Sequence, residues 1–109
     1  MKYTIYQIEN VENINYAFMP FKFAKQHNFA FHDYAKLYEG HTENLCCKSG
    51  YANNELEDIF HEFNGCHPED FKGHNLSVSD IVVLEDPETR SCQFYYCDHF
   101  GWTNVTEYI

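Results

Sequence analysis

Ile81-Val82-Val83-Leu84 is the one continuous aliphatic run in the chain. It is β-branched, too short for a helix and bounded by turn residues, so it reads as a strand buried on both faces. Asp86-Pro87-Glu88-Thr89 follows, with proline where a type I turn wants its fixed φ. Cys92 to Asp98 returns as a second strand carrying Phe94, Tyr95 and Tyr96, and the two form an antiparallel hairpin. Phe100-Gly101-Trp102 breaks the pattern, and Thr103 to Ile109 adds a short edge strand. The stretch from His67 to Trp102 is therefore the centre of the fold.

Around it, Lys2 to Glu9 alternates aromatic and β-branched residues and is expected as the first strand, with apolar groups on both faces and a central place in the sheet. Asn10 to Asn15 is an asparagine-rich loop. Pro20 suits a first helical position, opening a short helix that ends near Asn28, with Phe18 packed on Phe21. Phe29 to Tyr38 reads as a strand closed by Gly40, and His41 to Tyr51 as an irregular loop. The clearest helix is Asn54 to Asn64, where Leu56, Ile59, Phe60 and Phe63 make one apolar stripe. Asn54 caps it, Glu57 completes a capping box, and Asn64-Gly65 ends it. Glu55, Asp58 and Glu62 are expected on the opposite face as a row of carboxylates towards water. The fold class is α+β: one small domain over residues 1–109, with a mixed or antiparallel sheet of four to five strands and two helices.

A single domain of 109 residues buries roughly two-thirds of its unfolded surface and needs no staples. Ten Phe, nine Tyr and one Trp must supply most of the core. No apolar run reaches membrane-spanning length and no signal peptide opens the chain, so a cytoplasmic protein is expected. Its five cysteines are then reduced thiols. Seven basic against seventeen acidic residues give a net charge of −10, a field that repels nucleic acid and anionic lipid and steers the protein towards basic surfaces. Ordinary acidic solubility is the plainer reading of the same number.

No constellation specifies catalysis. His61, Cys66 and His67 lack the paired spacing of a zinc site, and Cys92 and Cys97 on one strand point to opposite faces. His74, Ser77, Ser79 and Asp80 hold the residue types of a hydrolase triad. Triad members meet across a fold rather than within a heptapeptide, and the serines suit backbone hydrogen bonds that shape the entry to the Ile81 strand. Pro68-Glu69-Asp70 looks like the first turn of a short helix. There is no phosphate-binding glycine pattern, and basic residues are too few for direct DNA binding. No cofactor is implied.

Tyr3-Thr4-Ile5-Tyr6-Gln7-Ile8, Tyr38-Glu39-Gly40, Leu56 to Asn64, Gly73-His74-Asn75-Leu76-Ser77-Val78-Ser79-Asp80-Ile81-Val82-Val83 and Tyr95 to Trp102 together form a pattern that resembles the YodL-like domain of Firmicutes. Asn75, His99 and Trp102 are mild departures from it. The resemblance implies a setting on plasmids, conjugative elements and phages, beside antirestriction modules or as small free-standing proteins. It implies no catalytic residues. Set beside the charge, it leads to an expected inhibitor of a bacterial defence system, an anti-CRISPR protein that binds a type II RNA-guided nuclease through an acidic surface. Glu55, Asp58, Glu62, Glu69, Asp70, Asp80, Asp98, Tyr95 and Trp102 are the candidate partner-binding residues. A non-catalytic interaction module of a larger element-encoded protein is the alternative. A nuclease or RNA-modifying enzyme built on His74 to Asp80 with Asp98 and His99 is the third.

Overall fold

The alternation in Lys2–Ile8 makes strand β1, with Tyr3, Ile5 and Gln7 on one side of the sheet and Tyr6 and Ile8 on the other. The structure, a computed structural model, describes residues 1–45, 54–65 and 68–109. In chain order the further elements are α1 (Phe21–Gln26), β2 (Tyr34–His41), α2 (Glu55–Gly65), β3 (Ile81–Glu85), β4 (Cys92–Asp98) and β5 (Gly101–Asn104). Among the described residues the strands form one fully antiparallel sheet, ordered β2-β1-β3-β4-β5.

Both faces of that sheet are covered. Ile81 and Val83 pack with Tyr96, Phe21, Ala24 and Tyr34 beneath α1, while Val82 packs with Ile5, Ile59 and Phe63 beneath α2. The aliphatic run of β3 is thus buried on both sides, as its composition predicts, and β1 is an interior strand. Asp86 shapes the β3–β4 connection: its carboxylate accepts from the Glu88 and Thr89 amides, at 2.8 and 3.1 Å. Those two amides hold its pKa below the usual carboxylate value. At α2, the Asn54 side chain accepts from the Glu57 amide at 3.1 Å, which is the expected cap.

Four local readings are corrected. The strand expected over Phe29 to Tyr38 begins only at Tyr34, because Asn28 turns the chain with φ 65° and Phe31–Asp33 forms a 3₁₀ turn. Gly40 does not close that strand but lies inside it opposite Tyr3, and a Cβ there would sit 2.6 Å from the Tyr3 hydroxyl. Phe18 is exposed against His74 instead of packing on Phe21, and it holds a left-handed φ of 65°. The last strand starts at Gly101 rather than Thr103, since Gly101 at φ 88° lets His99 and Phe100 form a two-residue turn, and Thr106–Tyr108 is a 3₁₀ turn. The expected loop beyond Leu45, with Cys46 and Cys47, and the Cys66-His67 pair lie outside the described residues.

Gly40→Val should cost about 1–3 kcal/mol by forcing the Tyr3 ring aside, read as a lower urea midpoint. Gly65→Ala, where a Cβ meets open space, should not lower it.

Candidate functional site

α2 and the β4–β5 hairpin carry acidic residues and no lysine or arginine. Residues Glu55, Glu57 and Asp58 open α2, where negative charge is favoured by the helix dipole. The pairing of Cys97 with Trp102 turns Trp102 towards α2, and its ring meets Phe60 edge-on at 6.4 Å. Between the helix and the hairpin lies a groove of about 210 Å³ lined by Glu57, Phe60, Cys97, Asp98, His99 and Trp102. Asp98 borders it at the end of β4, but its carboxylate lies with Thr103 on the α1 face of the hairpin: one oxygen accepts from the His99 amide at 3.1 Å, the other from the Thr103 hydroxyl at 2.7 Å. Burial, with Asp80, Asp98 and Glu57 nearby, pushes the Cys97 thiol up to about 12, so it remains a thiol rather than a thiolate. Phe100, at the tip of the adjoining turn, is 100 % exposed.

Among the described residues, opposing charge is scarce on this side of the sheet. Lys22 and Lys25 lie on or beside α1 across the sheet, and Lys2, Lys36 and Arg90 are paired with Glu39 and Glu85. Lys72 is exposed on the segment that leads to β3.

The predicted site residues divide accordingly. Asp98 and Trp102 both border the groove, though the register turns the Asp98 carboxylate to the face opposite Trp102; Glu55 and Asp58 lie on the helix that forms its wall, and Tyr95 shares the Trp102 face of the hairpin. Glu69 and Asp70 are exposed on a turn closed by the Phe71 amide and the Pro68 carbonyl. Asp70 lies against Tyr38, whose hydroxyl is raised by burial and by that carboxylate. Two residues are not where they were expected. Glu62 is 3 % exposed rather than water-facing, because it falls on the helix between Ile59 and Phe63 and turns into the packed side beside Tyr3 and Tyr38. Glu57, Phe60 and Phe100 were missed. Phe60 belongs to the apolar stripe, and only the register of β4 with β5 makes it a groove wall.

Asp80 is the second correction, being 1 % exposed. The β1–β3 register sets Tyr6 opposite Ile81, so the next residues along, Gln7 and Asp80, become neighbours on the α2 face. One Asp80 oxygen accepts from the Gln7 amide at 3.0 Å and from the Ser77 backbone at 2.8 Å. Gln7 also donates to the His74 carbonyl at 2.9 Å and accepts from its amide at 3.3 Å. The His74 Nδ1 is 2.6 Å from the Asn75 carbonyl, which can only accept, so Nδ1 carries the proton. Its Nε2 then faces the second Asp80 oxygen at 3.9 Å. Burial pushes Asp80 up to about 8 against the opposing pull of Ser77 and Gln7. Ser77 donates its hydroxyl to Asn75, and the Ser79 hydroxyl accepts from the Phe18 amide, as expected of residues that shape the strand entry. Gly73 is required here, since a Cβ would run into Gln7 and Phe71.

Among the described residues, no three His, Cys, Asp or Glu side chains group closely enough to hold a metal, and no helix is long and apolar enough to cross a membrane. No curated protein and no solved structure matches the chain. The YodL-like domain model matches residues 2–108. That span takes in the Gly73–Asp80 block that builds the buried cluster, both sheet edges and the hairpin of the groove, and the chain belongs to the YodL-like domain family.

Proposed function

We propose that this protein works by stoichiometric binding, seating a basic surface of a partner protein on α2 and the β4–β5 hairpin. The carrying observation is the groove itself: α2 and the β4–β5 hairpin contribute no lysine or arginine to it, Glu57, Phe60 and Trp102 line it, and the wholly exposed Phe100 flanks it. Aromatic anchors beside complementary charge are the usual composition of binding hot spots. The engagement of the Ser77 and Ser79 hydroxyls and of His74 Nδ1 with neighbouring backbone supports a binding role over hydrolytic chemistry at that cluster.

The proposed partner is a defence protein of the bacterial host, a type II RNA-guided nuclease, and the proposed place of action is the host cytoplasm. The acidic face occupies the basic groove that would otherwise hold guide or target nucleic acid. With the purified nuclease free of RNA, association should be tight at about 50 mM salt and weaken strongly at about 500 mM. Reversing Glu55, Glu57 and Asp58 to lysine should weaken it at least roughly a hundredfold, and Phe100→Ala roughly tenfold. Absence of binding at low salt would remove the nuclease as target. Co-purification with another protein of the same mobile element would then favour the interaction-module reading.

A further inference from the structure

Among the described residues the sheet has two unpaired edges, the eight residues of β2 and the four of β5. The phase of the β1–β2 ladder fixes which backbone groups of β2 point away from β1. The Thr42 amide donates to the Met1 carbonyl at 2.9 Å, and the Glu9 amide to the Asp33 carbonyl at 3.1 Å. Alternation from those two ends turns Ala35, Tyr38 and Gly40 towards β1. The amides and carbonyls of Lys36, Glu39 and His41 then point outward, as does the Tyr34 carbonyl, while the Tyr34 amide is taken by Phe31. Outward residues 36 and 39 are three apart because the register shifts between Ile5 and Tyr6. Leu37 is the extra residue of that bulge and packs with Tyr38 on the α2 side. Lys36 and Glu39 lie on the other face, 3.2 Å apart, with Lys2 at 3.1 Å from Glu39.

We infer that β2 pairs antiparallel with β2 of a second copy of this chain, about a two-fold axis between Leu37 and Tyr38. This register sets Lys36 of each copy against Glu39 of the other, and Tyr34 against His41, so the outward backbone groups meet their counterparts. The two bulges fall opposite each other, and the residues on either side of them stay in step. Lys36 and Glu39 become unlike charges directly opposite on one face, and symmetry repeats the pair. On the other face the half-buried Leu37 of each copy meets Tyr38 of the other. The charge of the edge allows the approach: Lys2, Lys36 and Glu39 are the only lysine, arginine, aspartate or glutamate residues of β1 and β2, in a chain of net charge −10. A lysine and a bulge ordinarily protect an edge from pairing. Here both are self-complementary, which restricts the edge to one partner in one register. β5 lies at the opposite edge, so pairing leaves Phe100 and Trp102 free and does not depend on the binding role proposed for that side.

Sedimentation velocity of the full chain between about 1 and 500 µM should show a reversible dimer with a dissociation constant on the order of 10 µM. Lys36→Glu sets carboxylates against each other across the axis, and Glu39→Lys sets ammonium groups against each other. Each variant alone should dimerise at least roughly tenfold more weakly, with an unchanged circular dichroism spectrum. An equimolar mixture of the two variants should dimerise within about threefold of wild type, because the reversed charges then face each other between copies. Within one strand each variant keeps like charges at both positions whatever it is mixed with, so recovery on mixing reports only contact between copies. A wild-type monomer at about 500 µM, a dimer indifferent to both reversals, or a mixture that associates no better than its components would overturn the inference.

Discussion

Asp80→Asn should make the protein more stable at pH 8, and the margin over wild type should grow with pH. Asp80 is buried and its folded pKa, about 8, lies above the ordinary 3.8. The folded state therefore holds a proton that the unfolded chain releases between those values. The sign follows from linkage: the stability contributed by protonated Asp80 is complete below about pH 4 and is lost as pH rises towards 8, after which the loss levels off. The slope is up to about 1.4 kcal/mol per pH unit. Asparagine is shaped like the protonated carboxyl, can accept the same bonds from Ser77 and Gln7, and does not titrate. Asp80→Ala should behave in the opposite way, losing about 3–5 kcal/mol by stranding the Ser77 and Gln7 donors over a cavity. Urea unfolding of the three proteins at pH 5, 7 and 9 separates these outcomes. A wild-type minus asparagine difference that does not vary with pH would mean that Asp80 is charged throughout.

Phe63→Ala should be the most damaging single truncation on the α2 side, at about 3–5 kcal/mol. Phe63 is fully buried and pins the helix to the sheet, with ring contacts to Phe71 at 4.9 Å, Tyr38 at 5.5 Å and Tyr3 at 6.0 Å. Against a typical total stability of about 5–15 kcal/mol, that loss is a large share of the whole. Because α2 forms one wall of the groove, the variant should also lose the environment of Trp102, seen as a red-shifted emission at urea concentrations where wild type is folded. Phe100→Ala removes a ring of equal size from a fully exposed position and should change the urea midpoint by no more than about 0.5 kcal/mol equivalent. If the two substitutions cost the same, α2 is not held as described.

Where local pattern and tertiary demand coincided, the elements were readable in advance. Ile81 to Leu84, the Asp86 turn, the Asn54 cap and the Leu56–Phe63 stripe each carry their own instruction within a few residues. Phe29 to Tyr38 misled because aromatic residues suit strands and cores alike. There the positive φ of Asn28 and the packing of Phe29 and Phe31 on Tyr34 decided the conformation. Glu62 and Asp80 misled for a related reason: a carboxylate in sequence is assigned to water unless a partner for it is visible, and the residues that enclose these two come from β1, β2 and the segment before β3.

By itself the sequence determined the α+β class, the β3–β4 hairpin, the amphipathic α2 and the excess of negative charge, because each follows from local spacing or from summed composition; the family comes instead from the match over residues 2–108. Only the tertiary structure decided which carboxylates face water, that Gln7 and Asp80 form a buried pair beneath the exposed His74, and that Glu57, Phe60 and Trp102 line one groove. Those facts depend on strand register and on which face a helix docks. Both are set by contacts between residues dozens of positions apart, which no local pattern encodes.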